Sequence, residues 1–476
     1  MALRSSEEFR ESLRDGRRVV YRGALVDDVT KHPALGRTID HAARLFELPE
    51  QGPEGFWSFH DDGLGETVST FFLRPTTPEL LHRRGDVIEE ATRRSGTTLN
   101  IVKVVGTDAL LALETVTARV DAEQGTEYAA RVSAFRDHCA RGDLAMALAA
   151  TDNKGDRSKG PSAQADPDQY LHVVARDADG ITVRGAKVHT TASPSANELI
   201  VIPCRAMGPD DSDYAVAFAV PMNVPGLTLI SHPMDPGPSA EAPVSRRSVE
   251  IESLTVFDDV KVPWERVFLC GEASYAGQVA TAFANFHRYT AVSYKPPAID
   301  LLIGAAALVA DQLGIASAGH VRDKVAEMIC YVELIRGARI AAATRSRTVA
   351  PGLAYPDPLL TNAGKHHFST RYHGVVAALQ DLAGGLVVTA PGIEDLEHPE
   401  YGPLVEKYLV GRAGVSGRER WDLVQLVRDM TASEFGGYND VVTLHGEGSP
   451  QAQRIAAARE FDLQGCLDLV RQQLRD

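Results

Sequence analysis

Four short segments hold residue types that could do chemistry. Thr151-Asp152-Asn153-Lys154-Gly155-Asp156-Arg157 gathers two cations, two carboxylates and a glycine. Lys and Arg match phosphate oxygens, glycine lets backbone come close to a ligand, and Thr151 can donate to a ligand oxygen. Taken alone, a solvated turn with a surface ion pair explains the segment more simply. His189-Thr190-Thr191 sets three hydrogen-bonding side chains at a predicted strand end, a usual place for ligand contacts, though threonine is common in strands anyway. His287, in Phe283-Ala-Asn-Phe-His-Arg-Tyr289, carries an imidazole able to act as acid or base near neutral pH. A lone helical histidine is more often simply a satisfied core or surface residue. The last segment is Glu434-Phe-Gly-Gly-Tyr-Asn439 followed by His445-Gly446-Glu447-Gly448-Ser449-Pro450. Two glycine turns this close could offer backbone N–H groups to a phosphate or an adenine. The plainer alternative is a helix C-cap followed by an N-cap at Ser449.

The elements that must position these residues fall into three regions. Residues 1–141 read as a helical domain. Ser5 and Glu8 have capping-box spacing, and Val102, Val105, Leu110 and Leu113 recur at helical period. Residues 142–270 read as strands: a hairpin turning at Asp179-Gly180, then apolar runs at Glu198, Tyr214, Gly226 and Leu254, spaced as in a small barrel or sandwich. Residues 271–476 return to helical period, punctuated by Pro296-Pro297, Pro351-Gly352, Pro391-Gly392 and a glycine-rich turn expected near Gly436. The class is α+β.

Composition excludes several functions. Of 476 residues 44% are hydrophobic and 24% charged, normal for a globular protein with a sizeable core. The net charge is −15, which opposes nucleic-acid binding but leaves room for one basic phosphate pocket. The opening Met1–Glu8 has no apolar signal core, and Pro296–Gly319 is broken by Asp300 and Asp311, so it reads as a buried helix. Five scattered cysteines (139, 204, 270, 330, 466) suit free thiols in a reducing cytoplasm. No Rossmann, P-loop, His-Glu-x-x-His or nucleophile-elbow pattern occurs, and the glycines of Gly411–Gly417 lack the spacing for one.

Together the segments resemble one superfamily over roughly Ser5 to Leu469: the 4-hydroxyphenylacetate 3-monooxygenases and 4-hydroxybutyryl-CoA dehydratases. Tyr21-Arg-Gly-Ala-Leu-Val-Asp-Asp-Val and Ser69-Thr-Phe-Phe-Leu-Arg-Pro look like its early landmarks. Thr151–Arg157, Arg184–His189, Gln380–Gly385 and Gly436…Pro450 look like the dehydratase branch. The resemblance implies an acyl-CoA dehydrogenase-like fold: an N-terminal helical domain, a central β barrel and a C-terminal four-helix bundle, assembled as a homotetramer with FAD. It implies that Thr151, Asp152, Lys154, Gly155, Asp156 and Arg157, with His189, Thr190 and Thr191, line the flavin. His445, Gly446, Gly448 and Ser449 would touch it too, from the same subunit or across a subunit interface.

Departures from the family pattern decide the expected chemistry. The dehydratase holds a cubane cluster on three Cys and one His. His287 stands at that His, while Tyr294, Asn100 and Val104 stand at the Cys positions, and a cluster needs thiolates. No metal is therefore expected. The phenol-binding Arg, Tyr and His of the hydroxylases correspond to Gly96, Asn100 and Leu148. The expectation is an FADH2-dependent monooxygenase, fed by a separate flavin reductase, that hydroxylates a small aromatic or carrier-bound substrate. His287 would be its base or donor, with Asn100, Leu148 and Tyr294 shaping the pocket. The alternatives are a cluster-free lyase, isomerase or dehydrogenase acting on an acyl-CoA-type thioester, and a silent scaffold.

Overall fold

The computed structural model describes residues 3–53, 55–234 and 240–475. The chain opens with α1 (Ser6–Glu11), capped by the predicted reciprocal box: Ser5 accepts from the Glu8 N–H, and the Glu8 carboxylate accepts from Ser5. A small hairpin, β1 (Val19–Tyr21) and β2 (Ala24–Val26), leads to α2 (Pro33–Glu47). A second hairpin, β3 (Ser58–Asp61) and β4 (Glu66–Ser69), precedes α3 (Pro78–Ser95), α4 (Val105–Gln124) and α5 (Tyr128–Arg141). The N-terminal helical region is interrupted between α3 and α4. Gly96 ends α3 with φ +124°, and Thr97–Val104 form a turn. Asn100 lies on that turn and Val104 at its entry to α4.

The central region forms two sheets. Strands β5 (Met146–Ala149), β6 (His172–Arg176), β7 (Gly180–Thr191), β8 (Glu198–Val201), β9 (Val216–Pro221), β10 (Leu227–Ser231), β11 (Glu252–Pro263) and β12 (Val267–Cys270) follow in chain order. One sheet runs β2-β1-β10-β11-β7-β6 and the other β12-β9-β8-β5. Phe218 of one meets Phe257 of the other edge-on at 5.9 Å, and alternate residues of β7 and β11 point inward. The predicted Asp179-Gly180 hairpin joins β6 to β7. The expected closed barrel is corrected to two packed sheets, with β1 and β2 of the N-terminal region completing the larger one. Regular runs of apolar strands do not distinguish a sandwich from a barrel; ladder closure does.

The C-terminal region is helical: α6 (Ala273–Tyr294), α7 (Pro296–Gln312), α8 (Gly319–Thr344), α9 (Pro358–Ala383), and three short helices, α10 (Leu386–Thr389), α11 (Ile393–Leu396) and α12 (Gly402–Leu409). Then come α13 (Gly417–Thr431), α14 (Glu434–His445), α15 (Pro450–Glu460) and α16 (Leu463–Gln473). Pro296 and Pro297 supply no backbone N–H, so the helical path bends between α6 and α7 at Lys295. The run Ala273–Gln312 is long and apolar enough to cross a membrane, but it is mostly buried against the rest of the chain, as a core helix is. The expected glycine turn at Gly436 is corrected to helix. Ser433 caps α14 by accepting from the Gly436 N–H, and Phe435 is buried. A Cβ on Gly436 would come within 2.8–3.0 Å of the Thr431 backbone, so this glycine serves close packing.

Candidate active site

The densest polar cluster lies where α3, α4 and α6 meet. Asp108 is fully buried in an otherwise apolar stretch of α4. Its Oδ1 accepts from Arg84 at 2.6 Å and from Thr290 at 2.9 Å, and its Oδ2 lies 2.9 Å from His287 Nδ1. Arg84 and His287 are themselves buried, so the carboxylate is matched by a guanidinium in a dry setting. A carboxylate can only accept, so Nδ1 carries the hydrogen of this contact, and whenever the ring is neutral its lone pair lies on Nε2. Phe283, one turn earlier on α6, stacks on the imidazole at 4.9 Å. This is how a general base is oriented.

A second cluster adjoins it through the glycine turn after α14. Glu447, between Gly446 and Gly448, has φ +56° and a buried side chain. It accepts a very short hydrogen bond from the Tyr294 hydroxyl and pairs with Lys365 at 3.2 Å and Lys295 at 3.6 Å. Arg288 donates to the Glu447 carbonyl at 2.8 Å and to Asn362 at 2.7 Å. Gly448 has φ +95°, and a Cβ there would meet the Arg288 guanidinium at 2.6 Å, so only glycine fits. Burial works to raise the Glu447 pKa, but Lys295, Lys365, His287 and the Tyr294 hydrogen bond hold it down to about 2. Burial lowers Lys295 to about 8, against the pull of Glu447. Its ammonium lies over the rings of Tyr294 and Phe368 at 4.6 and 4.7 Å.

The strand ends face this crevice. Thr191 donates to Glu252, and the Tyr438 hydroxyl of α14 donates to the same carboxylate at 2.8 Å. His232 stacks on Tyr438. Nearby, burial together with the charge on Glu252 raises Glu250 well above the ordinary carboxylate range, and burial lowers His41 to about 3.

The sequence-derived residues sort as follows. Tyr294 and Asn100 converge: with Val104 and Thr290 they line one cavity of about 10 Å³, room for roughly one water, while His287 is off that wall and joins it through Asp108 and Thr290. Leu148 is buried in β5 and is not on that wall. Gly96 adjoins Arg44, whose guanidinium would lie 2.9 Å from a Cβ there. Asp152 is buried against Lys187 in an ion pair at 2.5 Å, and Thr190 is fully buried, accepting from Thr255. Thr151 is half-buried; Lys154, Gly155, Asp156, Arg157 and His189 are exposed. Lys154, Gly155 and His189 all have left-handed backbone. His445 is exposed, and Ser449 caps α15 as in the plainer reading of that segment, accepting from the Ala452 N–H.

Six residues escaped the sequence reading: Asp108, Arg84, Glu447, Lys295, Lys365 and Tyr438. Two carried a signal. Asp108 interrupts the apolar first half of α4, and Glu447 stands between the two glycines of a segment already singled out.

Family models match nearly the whole chain: 4-hydroxyphenylacetate 3-hydroxylase N terminal over residues 5–269 and C terminal over residues 276–475. The chain belongs to the 4-hydroxyphenylacetate 3-hydroxylase family. Within it, the chain is 32% identical to a 4-hydroxybutyryl-CoA dehydratase/vinylacetyl-CoA-Delta-isomerase of Clostridium aminobutyricum, over 98% of this chain and 99% of that protein. It is 30% identical to the 4-hydroxyphenylacetate 3-monooxygenase oxygenase component of Thermus thermophilus, over 90% and 88%. A crystal structure of such an oxygenase component complexed with FAD superposes with TM-score 0.91 at 28% identity, covering 99% of this chain and 98% of that one. The fold is therefore acyl-CoA dehydrogenase-like, as the resemblance implied, and these relatives of the chain are enzymes.

The family's flavin finds groups suited to it here. Lys154 and Arg157 are exposed and carry the charge that a diphosphate would match, and Gly155 and His189 have left-handed backbone. At the positions where the resemblance puts the ligands of the dehydratase branch's cluster, Asn100, Val104 and Tyr294 offer no thiolate, so these residues do not suit such a cluster. The nearest cysteines in sequence are Cys139, buried within α5, and Cys270, at the end of β12.

Proposed function

We propose that this protein is the oxygenase half of a two-component flavin monooxygenase. It would receive FADH2 from a separate reductase and hydroxylate a small organic substrate. One observation carries the reading: three positions that would need thiolates for a cluster are Asn100, Val104 and Tyr294, and a branch of the family whose members are named as oxygenases remains. When bound, reduced FAD supplies the electrons that activate O2. The chain's own part is to bind, orient and exclude water. His287, fixed by Asp108, offers Nε2 to take a proton from a substrate hydroxyl or to hold it in place. Lys154 and Arg157 would meet the flavin phosphates, and Thr191 and His189 the ring's side of the crevice. We read the working form as a cytoplasmic homotetramer; the uncovered apolar side chains of Leu463, Leu467 and Val470 along α16 and of Leu474 at its C-cap support assembly.

The test is O2 consumption by the protein with FADH2 and a flavin reductase, in the presence of candidate phenols. Substrate-dependent formation of a hydroxylated product is the expected result. Reoxidation of bound FADH2 at the rate of free FADH2, with every substrate tried, would remove the reading. A second reading is favoured by the Glu447–Tyr294–Lys295 array: proton transfer on an acyl thioester without a cluster. Thioester isomerisation in the absence of O2 would select it.

A further inference from the structure

Glu250 and His41 form a buried acid–base couple that the proposed chemistry does not use. Glu250 is 3% exposed and His41 is fully buried. Glu250 Oε1 accepts one long hydrogen bond, from the Ile101 N–H at 3.4 Å, and lies 3.7 Å from His41 Nδ1. Its Oε2 has no partner, and neither has His41 Nε2. Among the described residues no lysine or arginine pairs with this carboxyl. His41 does not supply the missing charge. Its Nδ1 donates to the Val249 carbonyl at 3.4 Å, and an imidazolium would need an acceptor at Nε2 as well. Arg44, one turn along α2, opposes a second positive charge there. A dry carboxylate with one weak donor is too costly to keep, so Glu250 holds its proton.

Three segments enclose this acid: α2, the stretch leading into β11, and the Thr97–Val104 turn. Side chains and one amide tie the turn to the other two. Thr98 Oγ1 donates to the Ser248 carbonyl at 3.1 Å, Asn100 Nδ2 to the His41 carbonyl at 2.7 Å, and the Ile101 N–H to Glu250 itself. Beyond them Val102 is anchored, its carbonyl accepting from the Met146 N–H at 2.7 Å. Asn100 and Ile101 also wall the small cavity that Tyr294 lines. We propose that Glu250 is a proton latch for this turn: with the acid un-ionised the turn is seated, and with the proton gone Thr97–Ile101 lifts and that wall opens. Glu250 gives one proton to a base in solution and becomes a carboxylate, which must draw in water or a cation. Core packing fixes α2 and β11, so the turn is the part that yields. The titratable and charged groups facing the couple are Arg44 from α2, Glu252 from β11 and Tyr438 from α14. The Glu252 carboxylate, which accepts from Thr191 and Tyr438, adds repulsion to the ionised state. A carboxyl that holds its proton more tightly in the fold stabilises fully at acid pH and loses that contribution as pH rises. The latch therefore weakens toward alkaline pH.

The proposal draws on the reading of the crevice only for its consequence, and its test reads no turnover. Hydrogen exchange of the Thr97–Val104 amides would be followed by mass spectrometry in the full-length, FAD-loaded protein, corrected for the intrinsic effect of pH on exchange. Across about pH 6 to about pH 9, protection in the native protein should fall at the alkaline end, by up to about tenfold per pH unit. Glu250→Gln and Glu250→Leu cannot ionise, and each should keep its protection level across the range. The infrared difference spectrum, native minus Glu250→Gln, should show an un-ionised carboxyl band at neutral pH that shifts in D2O. In the native protein alone, loss of an un-ionised carboxyl band should coincide with loss of protection, which covers the case of a variant that does not fold. Level protection in the native protein, the same pH dependence in native and variants, or no such carboxyl band would overturn the latch. A working latch in a protein that forms no product from FADH2 and O2 would remove the oxygenase reading alone. Hydroxylated product without the carboxyl band would remove the latch alone.

Discussion

Asp108 on α4 and His287 on α6, 179 residues apart, meet at 2.9 Å. The pairing decides which nitrogen of the imidazole carries the hydrogen and which faces the crevice. His287→Ala should lower turnover by about 100-fold while leaving flavin binding nearly intact. Unchanged turnover would take His287 off the catalytic list.

Asp108→Asn tests the same pair from the other side. It leaves Arg84 buried without its anion, and loss of one partner of such a pair costs about 3 kcal/mol. Urea unfolding should show that loss. A midpoint within error of the native protein would mean that Arg84 finds another partner.

Glu447 and Lys295 give pH signatures of the same sign in separate windows. Glu447 titrates near 2 in the fold against 4.5 for its ordinary value, so its contribution is present above about 4.5 and is lost as pH falls toward about 2. Lys295 titrates near 8 against 10.5, so the folded protein binds fewer protons between these values and stability rises with pH across that window. Glu447→Gln should make the acid limb of the stability profile shallower, with Glu198, Asp61 and Asp211 supplying the rest. It should also destabilise by a few kcal/mol near neutrality, because two buried ammonium groups lose their anion. An acid limb of native shape in this variant would count against the assignment.

Lys154 and Arg157 are exposed, so replacing both with Ala should leave the thermal midpoint alone. FAD affinity, followed by flavin fluorescence, should fall by roughly tenfold if they serve the diphosphate. Native affinity in the double variant would locate the phosphates elsewhere.

Gly436→Ala places a methyl group against the Thr431 backbone at 2.8–3.0 Å. Overpacking of this kind costs about 1–3 kcal/mol. The unfolding midpoint should drop accordingly, and no change would show that α13 and α14 can part at that point.

Strict anaerobic purification should yield protein with flavin-binding capacity but without stoichiometric iron or acid-labile sulfide. A brown preparation with a full complement of both would refute the account of Asn100, Val104 and Tyr294.

Local information was enough for much of this. The Ser5–Glu8 box, the Asp179-Gly180 hairpin and the cap at Ser449 are each written within a few residues, and each forms as the sequence suggests. The order of helical, strand and helical regions and the family follow from patterns and motifs spread along the whole chain. Long-range facts were not legible. Whether the strands close into a barrel depends on which edges pair, and here β1 joins β10 from more than two hundred residues away. The two glycines at Gly436 suggested a turn, but Phe435 burial and the nearby Thr431 backbone made them part of a helix.

By itself, the sequence determined which chemical groups are present: a histidine on α6, no cysteine at Asn100, Val104 or Tyr294, and cations beside Gly155. Only tertiary structure decided what those groups are to one another. A carboxylate such as Asp108 or Glu447 is an ordinary surface acid until folding removes its water, and then its few partners fix its charge, its neighbour's tautomer and the direction of every nearby proton.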